Sequence, residues 1–370
     1  MQVPANDPLI LVSALASVTS DIGLAITSSV AQSHPFQFAR QISTLDHLSG
    51  GRAGWNIVTS RLENSHRNFG APGLVPHDDR YDWADEYVDV AYKLWEGSWD
   101  EGALIQDKEG YRHADPARVH KIYHEGERYR VDGPHLVSPS PQRVPLLFQA
   151  GASDRGRRFG AANAEAVFMN ASGLAEIAEF TTDVRNRAEA LGRRRDDIAF
   201  FQGLQIVVGG TEEEARRKAA EIDEYSDIRA RLAHMGGGLG VDLGGLPLDT
   251  PLGEFDSDGN RGMPEQIADD LIRRQDAGLD GFNVVNALLP QSYVDIVDGL
   301  FPLLRERGLV QSEYTPGTLR EKLFGTSPHL NERHPATRYR GALEQYSAAA
   351  ENVPPGPVDL LVESDSSLSR

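Results

Sequence analysis

The chain has no cysteine and far fewer basic than acidic side chains. Its 370 residues contain 37 Lys and Arg against 55 Asp and Glu, a formal net charge of −18. Without cysteine there is no disulfide framework and no Cys-based metal or redox motif, which suits a cytoplasmic protein. The acidic balance and the lack of a basic block argue against nucleic acid and anionic membranes as partners.

Long apolar runs are also missing. No stretch approaches the roughly 20 apolar residues that a membrane-spanning helix needs. The apolar N-terminal stretch has no Lys or Arg before it, and Asp21 follows closely, so a signal peptide is a poor fit. With 40% hydrophobic residues, the chain has enough apolar material for a full core. We therefore expect a cytoplasmic protein that does not enter a membrane.

Apolar runs and helical patterns alternate along the chain, which is typical of βα units around a parallel sheet. A closed barrel of this class has eight strands. The chain opens on a helical pattern, so the two missing βα units are expected upstream of Met1. The six strands that the sequence predicts are 22–29, 53–60, 145–151, 164–170, 198–209 and 281–287.

The pattern predicts one α/β-barrel domain over residues 1–345. Two segments lack clean periodicity and are rich in turn residues, and we interpret them as excursions at about 98–143 and 233–262. Residues 346–370 are polar with several prolines, which predicts a disordered tail.

The most informative segment is residues 34–60, which predicts a helix, a Gly-Gly turn and a short apolar strand. The strand ends in Asn56, Thr59 and Ser60. Polar side chains at the C-terminal end of a strand are what an enzymatic α/β barrel presents to its ligand. Thr27 ends the strand before it, where its hydroxyl could bond a ligand or equally cap the next helix.

His77 and Tyr81 lie in the sequence HDDRY, where a Gly- and Pro-rich loop meets a helix. The two side chains are one helical turn apart, and a histidine can exchange a proton near neutral pH. They could therefore act on one ligand together. On residue types alone, a packed Tyr81 and a solvated His77 remain the plainer interpretation.

Residues 149–158, QAGASDRGRR, predict a strand end, a tight turn and the start of a helix. Such a turn aims backbone N–H groups and the positive end of the helix dipole at an anion. Ser153 adds a hydroxyl, and three arginines add charge that would suit an anionic substrate. The pattern also fits an ordinary strand–turn–helix joint. It does not match G-x-G-x-x-G, which disfavours a Rossmann NAD site.

The run from Leu45 to Ser60, LDHLSGGRAGWNIVTS, closely resembles the signature of one family. These are the flavin-dependent monooxygenases of the bacterial-luciferase superfamily, in the branch of nitrilotriacetate and dibenzothiophene-sulfone monooxygenases. TPGTLREKLFG, from Thr315, resembles the same family, and the resemblance extends from Pro8 to about Leu323. It implies a TIM-type (β/α)8 barrel, here without its first two βα units.

The resemblance also implies an activity. Such enzymes are two-component FMNH2-dependent monooxygenases, in which a separate NAD(P)H:flavin oxidoreductase supplies the reduced flavin. O2 is the co-substrate, and one oxygen atom enters a small organic substrate by way of a flavin C4a-hydroperoxide. A homo-oligomer is implied as well.

Residue roles follow from the same resemblance. The serine that matches Ser153 grips the FMN phosphate, and the residues that match Tyr81 and Thr27 contact the flavin. The histidine that matches His77 contacts the flavin and serves the oxygen chemistry, so His77 is the expected catalytic residue. Asn56 would line the same mouth of the barrel, and no metal is expected.

Two alternatives stay open on the sequence. The chain could be a truncated, inactive flavin-binding paralogue or barrel fragment, which the absent first units would favour. It could also be a related barrel that uses a deazaflavin as hydride carrier. The organic substrate is not indicated.

Overall fold

The computed structural model describes residues 6–171, 173–225, 227–230, 232 and 259–343. Its strands are β1 (Leu24–Ser29), β2 (Ala53–Val58), β3 (Leu104–Asp107), β4 (Arg112–Ala114), β5 (His124–Glu125), β6 (Arg130–Val131), β7 (Leu146–Ala150), β8 (Ala166–Met169), β9 (Ala199–Val208), β10 (Gly259–Gly262) and β11 (Gly281–Val285).

The α-helices alternate with the strands of the main sheet. They are α1 (Pro8–Val18), α2 (Pro35–Ser49), α3 (Glu63–Arg67), α4 (His77–Tyr92), α5 (Asp154–Asn163), α6 (Leu174–Ala190), α7 (Glu212–Glu224), α8 (Pro264–Asp276), α9 (Gln291–Asp295), α10 (Phe301–Glu306) and α11 (Leu319–Phe324).

Seven strands form one parallel sheet, in the order β1-β2-β7-β8-β9, with β10 and β11 both on the far side of β9. β11 pairs with the N-terminal half of β9 and β10 with its C-terminal half. All six predicted strands are present, and the α/β fold with a parallel sheet is confirmed. The expected absence of two upstream βα units stays a prediction.

The seventh strand, β10, was not predicted, because residues 233–262 were interpreted as one excursion. Its sequence, GNRG, has no apolar residue and no alternation, so no strand signal marks it. It is held by backbone pairing with β9 instead. Residues 233–258 of that excursion, and the predicted tail 346–370, lie outside the described residues.

The sheet has an outer face that packs on helices and an inner face that lines the barrel. Trp55 of β2 is fully buried on the outer face, with its ring 4.6 Å from Phe38 and 5.7 Å from Tyr87. From Phe200 to the end of β9, buried and half-buried residues alternate, which is the pattern of a strand with one helix-covered face. Its buried residues, Leu204, Ile206 and Val208, pack on the helices.

The C-terminal α11 closes the sheet at the N-terminal ends of its strands. The Leu319 N–H donates to the Gly51 carbonyl at 2.8 Å, just before β2. Arg320 is buried and donates to both carboxylate oxygens of Glu165 at 2.6 and 2.9 Å. The site must therefore lie at the opposite end, where the strands finish.

Residues 98–143 connect β2 and α4 to β7, and this connection contains two antiparallel strand pairs that the sequence did not indicate, β3 with β4 and β5 with β6. Side-chain anchors hold it to the barrel. The Glu86 carboxylate of α4 accepts from the Tyr129 N–H at 2.8 Å. His135 Nε2 lies 3.0 Å from Ser43 Oγ of α2. None of the helices in the described part of the chain is long and apolar enough to cross a membrane.

Candidate functional site

Thr27 and Asn56 lie side by side on the inner face of the sheet. The two residues are in register on the parallel strands β1 and β2. Asn56 Nδ2 donates to Thr27 Oγ1 at 3.0 Å. Asn56 Oδ1 is shielded from solvent and has no hydrogen-bond partner in the described structure. A buried carbonyl oxygen without a donor is ready to accept from a ligand N–H.

Ser153 caps the N-terminus of α5, directly after β7. Its backbone is extended, and its Oγ accepts from the Gly156 N–H at 3.1 Å. The turn needs glycines, because a Cβ on Gly156 would lie 2.8 Å from the Tyr81 hydroxyl and 3.1 Å from the Gly151 Cα. The close backbone leaves the first turn of α5 open to an anion.

His77 joins this turn from α4. Its Nε2 lies 3.2 Å from Ser153 Oγ, and its Nδ1 lies 2.6 Å from Asp78 Oδ1. About half of the His77 side chain is exposed (47%). One ring nitrogen is thus fixed by a carboxylate, while the other points at the serine that caps α5.

Tyr81 forms the inner wall of the cluster and is 6% exposed. Its ring centroid lies 5.2 Å from that of His77 and 5.7 Å from that of Phe159. Burial raises the pKa of the Tyr81 hydroxyl, and hydrogen bonds with Ser153 and Gln149 oppose that shift. The phenol therefore stays neutral at physiological pH and can donate a hydrogen bond.

The three arginines of α5 are all ion-paired, which changes how their charge can be used. Arg155 also lies over the Tyr81 ring, 5.5 Å from its centroid. Burial raises the pKa of the Asp85 carboxyl, one of its partners. Because these cations already have carboxylate partners, little of their charge is left for an anionic substrate. The pairs are Arg155 with Asp82 and Asp85, Arg157 with Asp183, and Arg158 with Asp154.

The segment that follows β2 is fixed by a network that sequence reasoning missed. Ser60 has a positive φ of 52°, a strained conformation for a residue with a side chain. Arg80 donates to the Ser60 carbonyl, and His66 Nε2 lies 3.1 Å from the same oxygen. The Ser60 hydroxyl donates to Ser29 Oγ at 2.6 Å. Burial lowers the pKa of Arg80. These contacts tie β1, β2 and α4 together at the mouth.

Two further residues at the site, Gln149 and Asp78, were given no role of their own from the sequence. Gln149 is buried, and its Oε1 has no hydrogen-bond partner among the described residues. A glutamine inside an apolar strand was the only available signal. Asp78 was given no role from the sequence, whereas the structure pairs it with His77. In the described part of the chain, no cluster of three His, Asp or Glu could hold a metal ion.

The structure therefore gathers the five predicted residues at the C-terminal ends of the neighbouring strands β1, β2 and β7. One half offers neutral hydrogen-bonding groups on the inner face, Thr27 and Asn56. The other half offers a helix N-terminus with Ser153, His77 and Tyr81. The arrangement suits a ligand with a polar ring system and an anionic group.

Comparison with known proteins supports a single family. The family model of luciferase-like monooxygenases matches residues 2–281. The chain is 43% identical to the long-chain alkane monooxygenase of Geobacillus thermodenitrificans, over 92% of this chain and 81% of that protein. It is 40% identical to the dimethyl-sulfide monooxygenase of Hyphomicrobium sulfonivorans, over 96% of this chain and 82% of that protein.

The branch expected from the sequence is also represented. The dibenzothiophene-sulfone monooxygenase of Rhodococcus erythropolis is 36% identical, and component A of the nitrilotriacetate monooxygenase of Aminobacter aminovorans is 34% identical. The crystal structure of a riboflavin lyase with modified FMN and riboflavin superposes with a TM-score of 0.86, at 38% identity over 91% of this chain and 82% of that one. A coenzyme F420-dependent reductase of Methanopyrus kandleri shares only the fold, at 17% identity and a TM-score of 0.56.

Proposed function

Because this chain belongs to the luciferase-like monooxygenases and is a flavin-dependent monooxygenase, we propose that it is the oxygenating component of a two-component system. A separate NAD(P)H:flavin oxidoreductase delivers FMNH2, and the chain uses it with O2 to place one oxygen atom in a small organic substrate. The "component A" in the name of the nitrilotriacetate relative supports this division of labour.

The residues present fit FMN. Ser153 and the N–H groups at the start of α5 would hold the phosphate, because a helix N-terminus with a serine cap is a ready anion site. Thr27 and Asn56 would bind the ring edge, and the unpartnered Asn56 Oδ1 would accept from a ring N–H. Tyr81 would support the flavin from the side. When bound, the reduced flavin supplies the electrons that activate O2.

His77 is the residue that we assign to proton handling. Its Nδ1 is held by Asp78 at 2.6 Å, so Nε2 is the nitrogen left to hold or move a proton at the ligand. Ser153, 3.2 Å from that nitrogen, places the proton beside the phosphate-binding turn. The apolar side chains that line the sheet interior help to exclude water, which protects reactive oxygen chemistry.

The observation that carries the proposal is the meeting of His77, Tyr81 and Ser153 from two separate helices. An inactive remnant is the weaker alternative, since His77, Tyr81 and Ser153 lie within contact distance of one another. A deazaflavin enzyme is disfavoured because the relatives of that kind share only the fold.

The test is an anaerobic titration of the chain with FMNH2, followed by admission of labelled O2 with a flavin reductase present. We expect saturable binding, and label in the product from at least one member of a panel that holds simple carboxylates together with the substrate classes named among the relatives. His77→Ala should cut product formation by about 100-fold. FMNH2 affinity should change far less.

The matched control is His113→Ala, which removes an exposed histidine from the 98–143 connection. It should leave both readouts unchanged. An equal loss of FMNH2 affinity and oxygenation in His77→Ala would contradict the assigned role, and no binding of FMNH2 would contradict the proposed function. The homo-oligomer and the cytoplasmic location remain predictions, the first open to sedimentation velocity.

A further inference from the structure

Arg261 is the one ionisable side chain that the described parallel strands place on the inner face of the sheet. It pairs in register with Val207. Residues in register on paired strands share a face. Ile206 and Val208, on either side of Val207, pack on the helices of the outer face. Val207 and Arg261 therefore point inward.

Arg261 is also exposed, and the described residues give it no carboxylate partner. This separates it from the arginines of α5, each of which has one. A guanidinium with five donors and no anion is suited to bind a carboxylate. Its neighbour Gly262 is buried, so the exposure belongs to the inward-facing position and not to the whole strand.

The surroundings of Arg261 on this face are neutral or apolar. Its register partner Val207 is half-buried. Val285 of β11 is in register with Gln205, two residues before Val207, and is 48% exposed. The polar side chains that share this face are uncharged, among them Thr27, Asn56, Gln205 and Asn283.

We propose that Arg261 determines the substrate class: a molecule with an apolar body and a single carboxylate. This inference rests on the proposed function. The exposed and half-buried valines beside it, Val285 and Val207, contact the apolar body, and the lone guanidinium binds the anionic end. A neutral alkane would leave the cation unused, and a polycarboxylate would bring more negative charge than one cation can balance.

The phosphate of FMN is the other anion that Arg261 could bind, but the strand order disfavours it. The phosphate-binding turn follows β7, and β10 is three strands away, which is roughly 14 Å at the usual strand spacing. A substrate anion therefore suits Arg261 better than the phosphate does. The experiment separates the two.

The experiment measures binding of matched ligand pairs to the flavin-free chain and to the chain loaded with FMNH2 under anaerobic conditions. The probes are short- and medium-chain carboxylates and phenylacetate, each beside its own primary amide. We expect at least one carboxylate to bind about fivefold tighter than its amide. Arg261→Gln should remove this preference, and Arg261→Lys should retain part of it.

Two control variants make the result specific. Arg273→Gln removes the same charge from the exposed side of α8 and should keep the preference. Arg61→Gln removes an exposed arginine of the segment after β2, which also has no carboxylate partner among the described residues, and should keep the preference as well. Loss of the preference in Arg61→Gln but not in Arg261→Gln would overturn the assignment.

FMN and riboflavin provide the remaining arm. If Arg261→Gln weakens FMN binding and spares riboflavin, Arg261 binds the phosphate and the substrate proposal is wrong. If no carboxylate exceeds its amide in the wild-type chain, the proposal is also wrong. If the proposed function is wrong, the wild-type chain will not bind FMNH2. The carboxylate preference of the flavin-free chain does not depend on FMNH2 binding, so the two failures can be told apart.

Discussion

At the scale of single residues, the candidate site is built from neutral groups that are held by charged neighbours. Burial keeps the Tyr81 hydroxyl protonated. His77 is oriented by Asp78. The charged side chains around them form ion pairs with each other. They therefore hold the neutral groups in place and are not themselves free to bind a ligand. Ser153 has two roles: it caps α5 in the fold, and it is expected to contact the ligand.

The two roles of Ser153 can be separated by substitution. Ser153→Asp keeps a side chain that caps α5, but its charge repels a phosphate. We expect it to preserve the unfolding free energy and to weaken FMNH2 binding by at least about tenfold, while riboflavin binding changes little. Ser153→Ala should lose about 1 kcal/mol of stability. Titration with both flavins and urea unfolding measure these effects. Equal weakening toward FMNH2 and reduced riboflavin would contradict the phosphate role.

At the scale of elements, two additions to the barrel depend on buried polar contacts. The 98–143 connection is anchored by His135, which is buried against Ser43 of α2. The C-terminal α11 is anchored by Arg320, which is buried against Glu165. In each contact a buried polar group has exchanged its water for one protein partner. Removing that partner leaves the group buried and unpaired, which lowers the unfolding free energy.

The His135 anchor predicts a loss of stability in mild acid. Burial lowers the pKa of His135 to about 4, well below the ordinary histidine value. The unfolded chain therefore takes up a proton at higher pH than the folded chain. Stability is complete above about pH 6.5 and falls as the pH drops toward 4. His135 should contribute roughly 2 kcal/mol to the loss between pH 7 and pH 5.

Urea unfolding at both pH values measures this loss, and His135→Gln should reduce the difference by that amount. His113→Gln, which removes an exposed histidine from β4 of the same connection, is the control and should leave the difference unchanged. The same pH dependence in the His135 variant and the wild-type chain would exclude His135 as its source.

The Arg320 anchor predicts a large and asymmetric mutational effect. Arg320→Met leaves the Glu165 carboxylate buried without its cation, which should cost about 3–5 kcal/mol of unfolding free energy. The double variant with Glu165→Met should recover part of that loss. Arg216→Met, which breaks the exposed pair with Glu212 on α7, should cost less than about 1 kcal/mol. A loss in Arg320→Met as small as in Arg216→Met would show that the buried pair does not anchor α11.

At the scale of the whole molecule, the site gathers residues from segments far apart in the chain, so ligand binding and folding are coupled. Thr27 and Asn56 come from β1 and β2, His77 from α4 and Ser153 from α5. A ligand that contacts all of them stabilises the folded chain and has no comparable site in the unfolded chain.

This coupling predicts a thermal shift under anaerobic conditions. FMNH2 at 100 times its Kd should add about 2.7 kcal/mol to the unfolding free energy, which is about 4 °C in Tm for a chain of this size. Differential scanning fluorimetry with reduced FMN measures it, with AMP as a matched phosphate control that should give little shift. An equal shift with AMP would mean that the ring contacts do not contribute.

The sequence by itself determined the strands that carry an apolar run and the residues whose types and spacing match the family. These signals are local, since periodicity and a short motif are fixed by neighbours along the chain. They identified six of the seven described strands of the parallel sheet, and they selected the five candidate site residues. They missed β10, because its GNRG sequence has no apolar pattern and depends on pairing with β9.

Only the tertiary structure decided how the side chains are used. The sequence pointed to the three arginines of residues 149–158 as free charge for an anion and gave no signal for Arg261. Folding paired Arg155, Arg157 and Arg158 with carboxylates from α4, α5 and α6, and it left Arg261 facing inward without a carboxylate partner among the described residues. Folding also paired His77 with Asp78 and Ser153. Charge pairing and exposure depend on residues distant in the chain, so local sequence patterns cannot specify them.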